Sequence, residues 1–302
     1  MARVVVAGAT GTIGRALAEA LVRRGDQVVA LSRNPAATLS GTEMVPWPEP
    51  KRMPPPPDAL SGADALVSLL GEPIAQRWSE AVKREIRDSR VLGTRSLVEA
   101  LRALPDHARP TTFVSQSATG YYGARGDETL DESSAPGDDL LAGVVRDWER
   151  EATAAEALTR VVLTRTGVVL SAHSGALAQM LGPFRLGLGG PVAGGRQYVS
   201  WIHVDDAVGG LLECIDVQSL QGAVNVTSPT PVTNRELSRT LGRVLGRPAV
   251  LPVPKLALQA MFGEMSTVVT TGHRVIPARL LAAGYRFRQP DLEPALRELL
   301  GR

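Results

Sequence analysis

Arg3-Val4-Val5-Val6-Ala7-Gly8-Ala9-Thr10-Gly11-Thr12-Ile13-Gly14 is the stretch that decides the fold. Its first five residues are apolar and β-branched with no polar alternation, which suits a strand buried on both faces of a parallel sheet. Gly8, Gly11 and Gly14 punctuate the turn that follows. Ile13, Ala16, Leu17, Ala20 and Leu21 then recur at helical spacing until Gly25 and Asp26 end the pattern. Strand, glycine turn and helix bring free backbone N–H groups and the positive helix end to one point, and the missing Cβ atoms admit a pyrophosphate closely. Gly8, Thr10, Gly11, Thr12, Ile13 and Gly14 are therefore predicted to hold a dinucleotide. The spacing is G-x-x-G-x-x-G and not the G-x-G-x-x-G of simple dehydrogenases. The place of the motif decides, because a strand precedes it and a second strand, Gln27 to Leu31, follows its helix.

That second strand runs into Ser32-Arg33-Asn34. Enzymes that use NAD place an acid there for the ribose hydroxyls, and an acid would repel a 2′-phosphate. A hydroxyl and a guanidinium take the place here, and a guanidinium grips phosphate in bidentate fashion. The expected cofactor is NADP(H); the competing reading makes Arg33 one solvated arginine among many.

The 302 residues are enough for two lobes with a substantial core, and 44% hydrophobic and 21% charged residues are ordinary for a globular protein. A net charge of +2 from interspersed residues, with no block of one sign, gives no nucleic-acid or membrane patch. One cysteine, Cys214, excludes an intrachain disulfide and a cysteine-based zinc cluster, and no metal site is expected. No apolar run reaches membrane-spanning length and no signal core opens the chain, so a cytoplasmic location is expected. The expected partner is a small-molecule substrate, with self-association left open.

Further along, Thr42 to Trp47 reads as a short strand. Four consecutive prolines, Pro54 to Pro57, make the following crossover loop or extended structure. Ala65 to Leu70 is the next buried strand, and its carboxyl end should face the cofactor. A long helix is predicted from Gln76 to about Leu104, with Lys83, Ile86 and Arg90 on one face. The two cations either reach a phosphate or ribose or extend into solvent. Thr111 to Ser115 is a strand leading to Gln116-Ser117-Ala118-Thr119-Gly120-Tyr121-Tyr122-Gly123, whose hydroxyls are placed to meet a substrate oxygen. A helix carrying Trp148-Glu149, a strand from Arg160 to Val169, a strand-to-helix unit from Trp201 through Cys214 and a late strand, Val224 to Thr227, complete the sheet. Thr233 and Glu236 form a capping box, and the last quarter is a mainly helical cover.

The glycine turn, the Ser117-to-Gly123 run and Trp201-Ile202-His203-Val204-Asp205-Asp206 resemble extended short-chain dehydrogenase/reductases of the sugar-epimerase type. Gly71-Glu72-Pro73-Ile74, Arg77-Trp78, Arg146-Asp147-Trp148-Glu149, Pro183 to Gly190, Gly263-Glu264-Met265 and Arg274-Val275-Ile276-Pro277 resemble more narrowly the atypical branch called epimerase family proteins, also labelled cell-division-inhibitor-like. The resemblance runs from end to end. It implies NADP(H), with contacts on Ser32, Arg33, Leu69, Leu70, Glu85, Arg90 and the backbone near Val169. Relatives commonly read Asn-Leu-Ala-Gly where this chain has Ser68-Leu69-Leu70-Gly71.

Working short-chain dehydrogenases pair a Tyr with a Lys four residues later, because the ammonium lowers the phenol's pKa. Tyrosines 121, 122, 198 and 285 are followed at that distance by Arg125, Gly126, Ile202 and Gln289, so no such pair exists. Ser117 matches the epimerase hydroxyl that holds the substrate oxygen, and Tyr121 or Tyr122 is the candidate acid/base; the alternative is that all three merely line a pocket. Nucleotide-sugar enzymes also carry Arg-Asp where this chain has Val199-Ser200, with Arg185 and Arg196 as candidate substitutes.

These readings predict an α/β doubly wound parallel sheet with a smaller, mainly helical substrate lobe. Residues 1–170 with a return segment at 201–228 form the cofactor domain, and 171–200 and 229–302 the lobe, whose family C-terminal domain covers about 250–298. The expected function is an NADP(H)-dependent, epimerase-like oxidoreductase, and the alternative a regulatory sensor that binds NADPH without turnover.

Overall fold

The computed structural model describes every residue except Pro35. Its centre is a seven-stranded sheet built from β1 (Arg3–Ala7), β2 (Gln27–Ser32), β3 (Thr42–Pro46), β4 (Ala65–Ser68), β5 (Thr112–Ala118), β6 (Arg160–Thr166) and β7 (Gly222–Val226). The spatial order is β7-β6-β5-β4-β1-β2-β3, and every pairing is parallel. β1 sits between β2 and β4, which explains why it carries no polar alternation: both faces of Val4 to Ala7 are buried. The chain reverses its direction of winding between β1 and β4, and such a switch point opens a crevice at the carboxyl ends of the strands.

Helices cover both faces. α1 (Thr12–Arg24) lies on one face with Leu17, Ala18 and Leu21 inward. On the other, α2 (Glu80–Ala103) and α3 (Leu140–Thr153) bury Leu97, Val98, Leu101 and Ala152 against Val5, Val29 and Leu66. α4 (Gly175–Arg185) belongs to a separate core with α6 (Asn234–Leu245) and α7 (Leu292–Leu300), grouped around Trp201. α5 (Val204–Asp216) joins α1 over the sheet.

The doubly wound class is as the sequence predicts, and the differences are local. α2 begins at Glu80, not Gln76, because Ser79 caps it by accepting from the Val82 amide at 3.3 Å. The proline tract ends in one helical turn, Pro57–Leu60, where its missing N–H costs nothing at a first position. The predicted strand from Arg160 to Val169 is two strands. It breaks at Gly167, where a Cβ would stand 2.3 Å from the Ser200 carbonyl oxygen, and Val168–Leu170 then pairs with Trp201–His203. The capping hydroxyl of Thr233 accepts from the Glu236 amide at 3.2 Å.

Candidate functional site

The crevice is built first by the glycine turn. Gly8 has φ +83° and a Cβ there would lie 2.7 Å from the Leu69 carbonyl oxygen; at Gly14 it would lie 2.2 Å from the Gly8 oxygen. Any side chain at either position would close the space between β1, the end of β4 and the first turn of α1. Gly11 caps α1 without a side-chain bond, and no acid stands in the first turn, so the positive helix end remains open to an anion. Beside it a cleft of about 320 Å³ is lined by Thr10, Ser32, Arg33 and Asn34. Its lining holds a guanidinium and no carboxylate. The Ser32 hydroxyl donates to the Asn34 carbonyl at 3.0 Å and accepts from the Asn34 amide at 3.1 Å, which shapes the loop carrying Arg33.

The other residues predicted to contact the cofactor lie outside that lining and have partners of their own. Leu69 continues the β4 pairing through its amide to Ala7 at 2.8 Å. Leu70 reaches Gly93, where an added Cβ would meet its Cδ1 at 3.0 Å. Arg90 is half-buried and donates to the carbonyls of Ile86 at 2.8 Å and Glu72 at 3.0 Å, with its guanidinium 5.3 Å from the Trp148 ring centre. Burial without a bonded carboxylate lowers its pKa to about 10, against a weaker pull from Glu72. Glu85 pairs with Lys51 at 2.6 Å. Lys83 turns to Glu80 and Glu264, at 3.0 and 2.5 Å, and so ties α2 to the C-terminal segment. Val169 sits in the short strand Val168–Leu170. Just beyond that strand, Thr12 of α1 donates to the Ser174 hydroxyl at 2.8 Å, a bridge across the mouth of the glycine turn.

Ser117 lies inside β5 and is 1% exposed. It donates to Glu149 at 2.6 Å, and Glu149 receives Arg165 in bidentate fashion at 2.8 and 2.9 Å. Arg165 also donates to the Tyr122 hydroxyl at 3.1 Å, which in turn donates to Asn225 at 2.7 Å. Ser117, Arg165 and Asn225 are register partners on β5, β6 and β7, so one row across three strands holds the network. Burial opposes the charge on Arg165, yet Glu149 carries its pKa upward. Burial pushes the Tyr122 phenol up to about 12 against the pull of Arg165. In this arrangement the hydroxyls of Ser117 and Tyr122 are engaged inside the protein and not presented to the crevice. Tyr121 differs: it is half-buried, and the Arg165 guanidinium lies 3.4 Å from its ring centre. Arg165 and Asn225 escaped the sequence reading, which noted Glu149 only within its motif, although an arginine within the β-branched run Arg160 to Thr166 signals a buried carboxylate partner.

The pattern that defines the NAD dependent epimerase/dehydratase family matches residues 4–226, and that of a domain of unknown function matches residues 253–299. The chain belongs to the NAD dependent epimerase/dehydratase family. Within that family it is 40% identical to an epimerase family protein of Arabidopsis thaliana, described as chloroplastic, over 98% of this chain and 86% of that one. It is 38% identical to human epimerase family protein SDR39U1, covering 99% of both. The crystal structure of the human protein with NADPH matches with a TM-score of 0.90 at 37% identity, over 99% of each chain. A UDP-galactose 4-epimerase, TM-score 0.73 at 18% identity, shares the fold. In this epimerase-family chain the strand expected to end at Ser115 runs on to Ala118, so that Ser117 lies inside it and Thr119 opens the turn that follows, and the Tyr-Lys pair is absent from the sequence. Among the described residues no helix is long and apolar enough to cross a membrane, and no group of acids, histidines and cysteine is placed to hold a metal ion.

Proposed function

We propose that this chain binds NADP(H) and acts as an NADP(H)-dependent oxidoreductase on a carbonyl, alcohol or sugar-like substrate. The observation that carries the reading is the cleft of Thr10, Ser32, Arg33 and Asn34, where a guanidinium stands at the end of β2 without an acid beside it. NADPH, with which the human relative was crystallised, brings a hydride donor to such a crevice when bound. Gly8, Gly11, Thr12, Ile13 and Gly14 hold the pyrophosphate with backbone amides, and Ser32 and Arg33 grip the 2′-phosphate. Leu69, Leu70 and Val169 border the dinucleotide. Arg90, held by the carbonyls of Ile86 and Glu72, brings a half-buried guanidinium to its edge, and Glu85 of the same helix, paired with Lys51, adds a further contact. Tyr121 is the acid/base group in this reading, its ring fixed beneath Arg165, while Ser117 and Tyr122 fix the network that holds Arg165. The buried Cys214 fits a reducing compartment, and the cytoplasm is the location that goes with this function.

Titration with NADPH and NADH tests the cofactor. NADPH is expected to bind at least tenfold more tightly, and Arg33→Ala to remove most of that preference while leaving NADH unchanged. Equal affinities in the parent protein would sink the assignment. A second reading, an NADPH-binding sensor without turnover, is favoured by the engagement of Ser117 and Tyr122 and the absent Tyr-Lys pair. A carbonyl and alcohol panel followed at the nicotinamide absorbance separates the two: turnover lost in Tyr121→Phe supports the enzyme, and tight binding without turnover the sensor.

A further inference from the structure

Where nucleotide-sugar enzymes carry Arg-Asp, this chain has Val199 and Ser200, and the structure shows what those residues do. Val199 pairs with Val232 in a two-stranded antiparallel ladder. Ser200, 3% exposed, clamps a segment from the C-terminal quarter: its hydroxyl donates to the His273 carbonyl at 2.8 Å and accepts from the Val275 amide at 3.0 Å. The residue held between those two bonds is Arg274. Gly272 brings the segment flush against Tyr198, since a Cβ there would fall 2.1 Å from the Tyr198 carbonyl oxygen.

The Arg274 guanidinium lies 5.3 Å from the Tyr198 ring centre, and its Nε is buried without a hydrogen-bond partner. Among the described residues no carboxylate pairs with it. Arg274 is half-buried, and among those residues its terminal nitrogens are as free of protein partners as its Nε. Other arginines set into the protein are engaged: Arg165 has Glu149, Arg90 has the carbonyls of Ile86 and Glu72, and Arg160, whose Nε is likewise unpartnered, gives its terminal nitrogens to the carbonyls of Cys214, Ile215, Val217 and Leu220. A cation held on a clamped backbone, stacked on an aromatic face and left with open donors, calls for an anion from outside the chain. Its neighbour His273 turns Nδ1 to the Gly123 carbonyl at 3.0 Å. Gly123 follows the turn Thr119–Tyr122 at the carboxyl end of β5, so the segment stands over the side of the sheet on which the crevice opens.

We propose that Arg274, stacked on Tyr198 and clamped by Ser200, is the oxyanion-binding residue of the substrate lobe, so that the substrate carries a phosphate or a carboxylate. This deepens the oxidoreductase reading and rests on it for the crevice the anion enters. Arg274 takes over from the lobe what position 199 supplies in nucleotide-sugar enzymes.

The test uses the full chain saturated with NADPH and titrates three probes by calorimetry: inorganic pyrophosphate, UDP and citrate. At least one is expected to bind, with Arg274→Met weakening it about tenfold or more and Arg274→Lys recovering part of the loss, while NADPH affinity stays within about twofold. Pyrophosphate or UDP as the tighter probe marks a phosphate, citrate a carboxylate. Absence of binding by all three at millimolar concentration, or equal binding to Arg274→Met, overturns the proposal. Should Arg274→Met fail to fold, phenylglyoxal labelling of the parent protein serves, read at the Arg274 peptide by mass spectrometry. Protection by a probe supports the site, and unchanged labelling overturns it. The NADPH titration on the same samples reports separately: binding of NADPH with no probe binding defeats this proposal alone, and a protein that ignores NADPH defeats the oxidoreductase reading.

Discussion

Arg165 and Glu149 are an ion pair with almost no solvent contact, and such a pair fails badly when one charge is removed. Glu149→Gln is expected to cost on the order of 3–5 kcal/mol in urea unfolding, because Arg165 would remain charged beside Tyr122 and the Tyr121 ring. Replacing both by methionine should recover most of that loss, which a double-mutant cycle would read as strong coupling. His273 supplies a pH dependence. Burial holds its pKa below the ordinary 6.5, against the Gly123 carbonyl and Asp139, which favour the charged form. Its contribution to stability is therefore complete above pH 6.5 and is lost as pH falls through the lower folded value. Thermal scans from neutral to acidic pH should show His273→Gln losing less melting temperature than the parent. The position of Arg33 was legible in the sequence because it stands one step beyond a strand, and the structure sets it in the cleft with Thr10, Ser32 and Asn34. The Ser117, Arg165 and Asn225 row was not, since strand pairing alone makes neighbours of residues so far apart in the chain.

Among the elements, the β1-turn-α1 unit needs the fewest distant partners and was read almost to its ends. Gly14 shows how tightly it is built: a methyl group would strike the Gly8 oxygen at 2.2 Å and the Ala9 Cα at 2.8 Å. Gly14→Ala is expected to lower stability on the order of 1–3 kcal/mol and to weaken NADPH at least tenfold, measured by thermal unfolding and fluorescence titration. The elements misread at their edges are those whose limits depend on a neighbour. Gly167 ends β6 because the Ser200 backbone passes there, and the turn at Pro57 forms where Ala59 and Leu60 enter the core beneath α2. Propensity along the chain carries no record of either contact.

At the scale of the whole molecule, long-range bonds decide how the C-terminal residues cover the sheet. Asp206 at the start of α5 is fully buried and accepts from the Tyr285 hydroxyl at 3.1 Å and from the amides of Arg288 and Gln289 at 2.7 and 2.8 Å. Asp206→Ala would leave those donors without an acceptor, at a cost on the order of 2–4 kcal/mol. Hydrogen exchange should then speed up first at residues 285–290 and only later in β1. The sequence placed Asp205-Asp206 at a strand-to-helix junction, but the link from Asp206 to residues 79 to 83 positions away becomes visible only once the chain has closed.

The hydroxyl bridge from Thr12 to Ser174 spans residues 162 positions apart and is exposed at the mouth of the glycine turn. Thr12 is the first residue of α1 and Ser174 stands directly before α4, so this contact fastens the opening turns of two helices from opposite halves of the chain to each other. A neutral hydroxyl pair in water contributes about 1 kcal/mol or less, so the fastening sets where the two helix starts meet and adds little to how firmly the chain is folded.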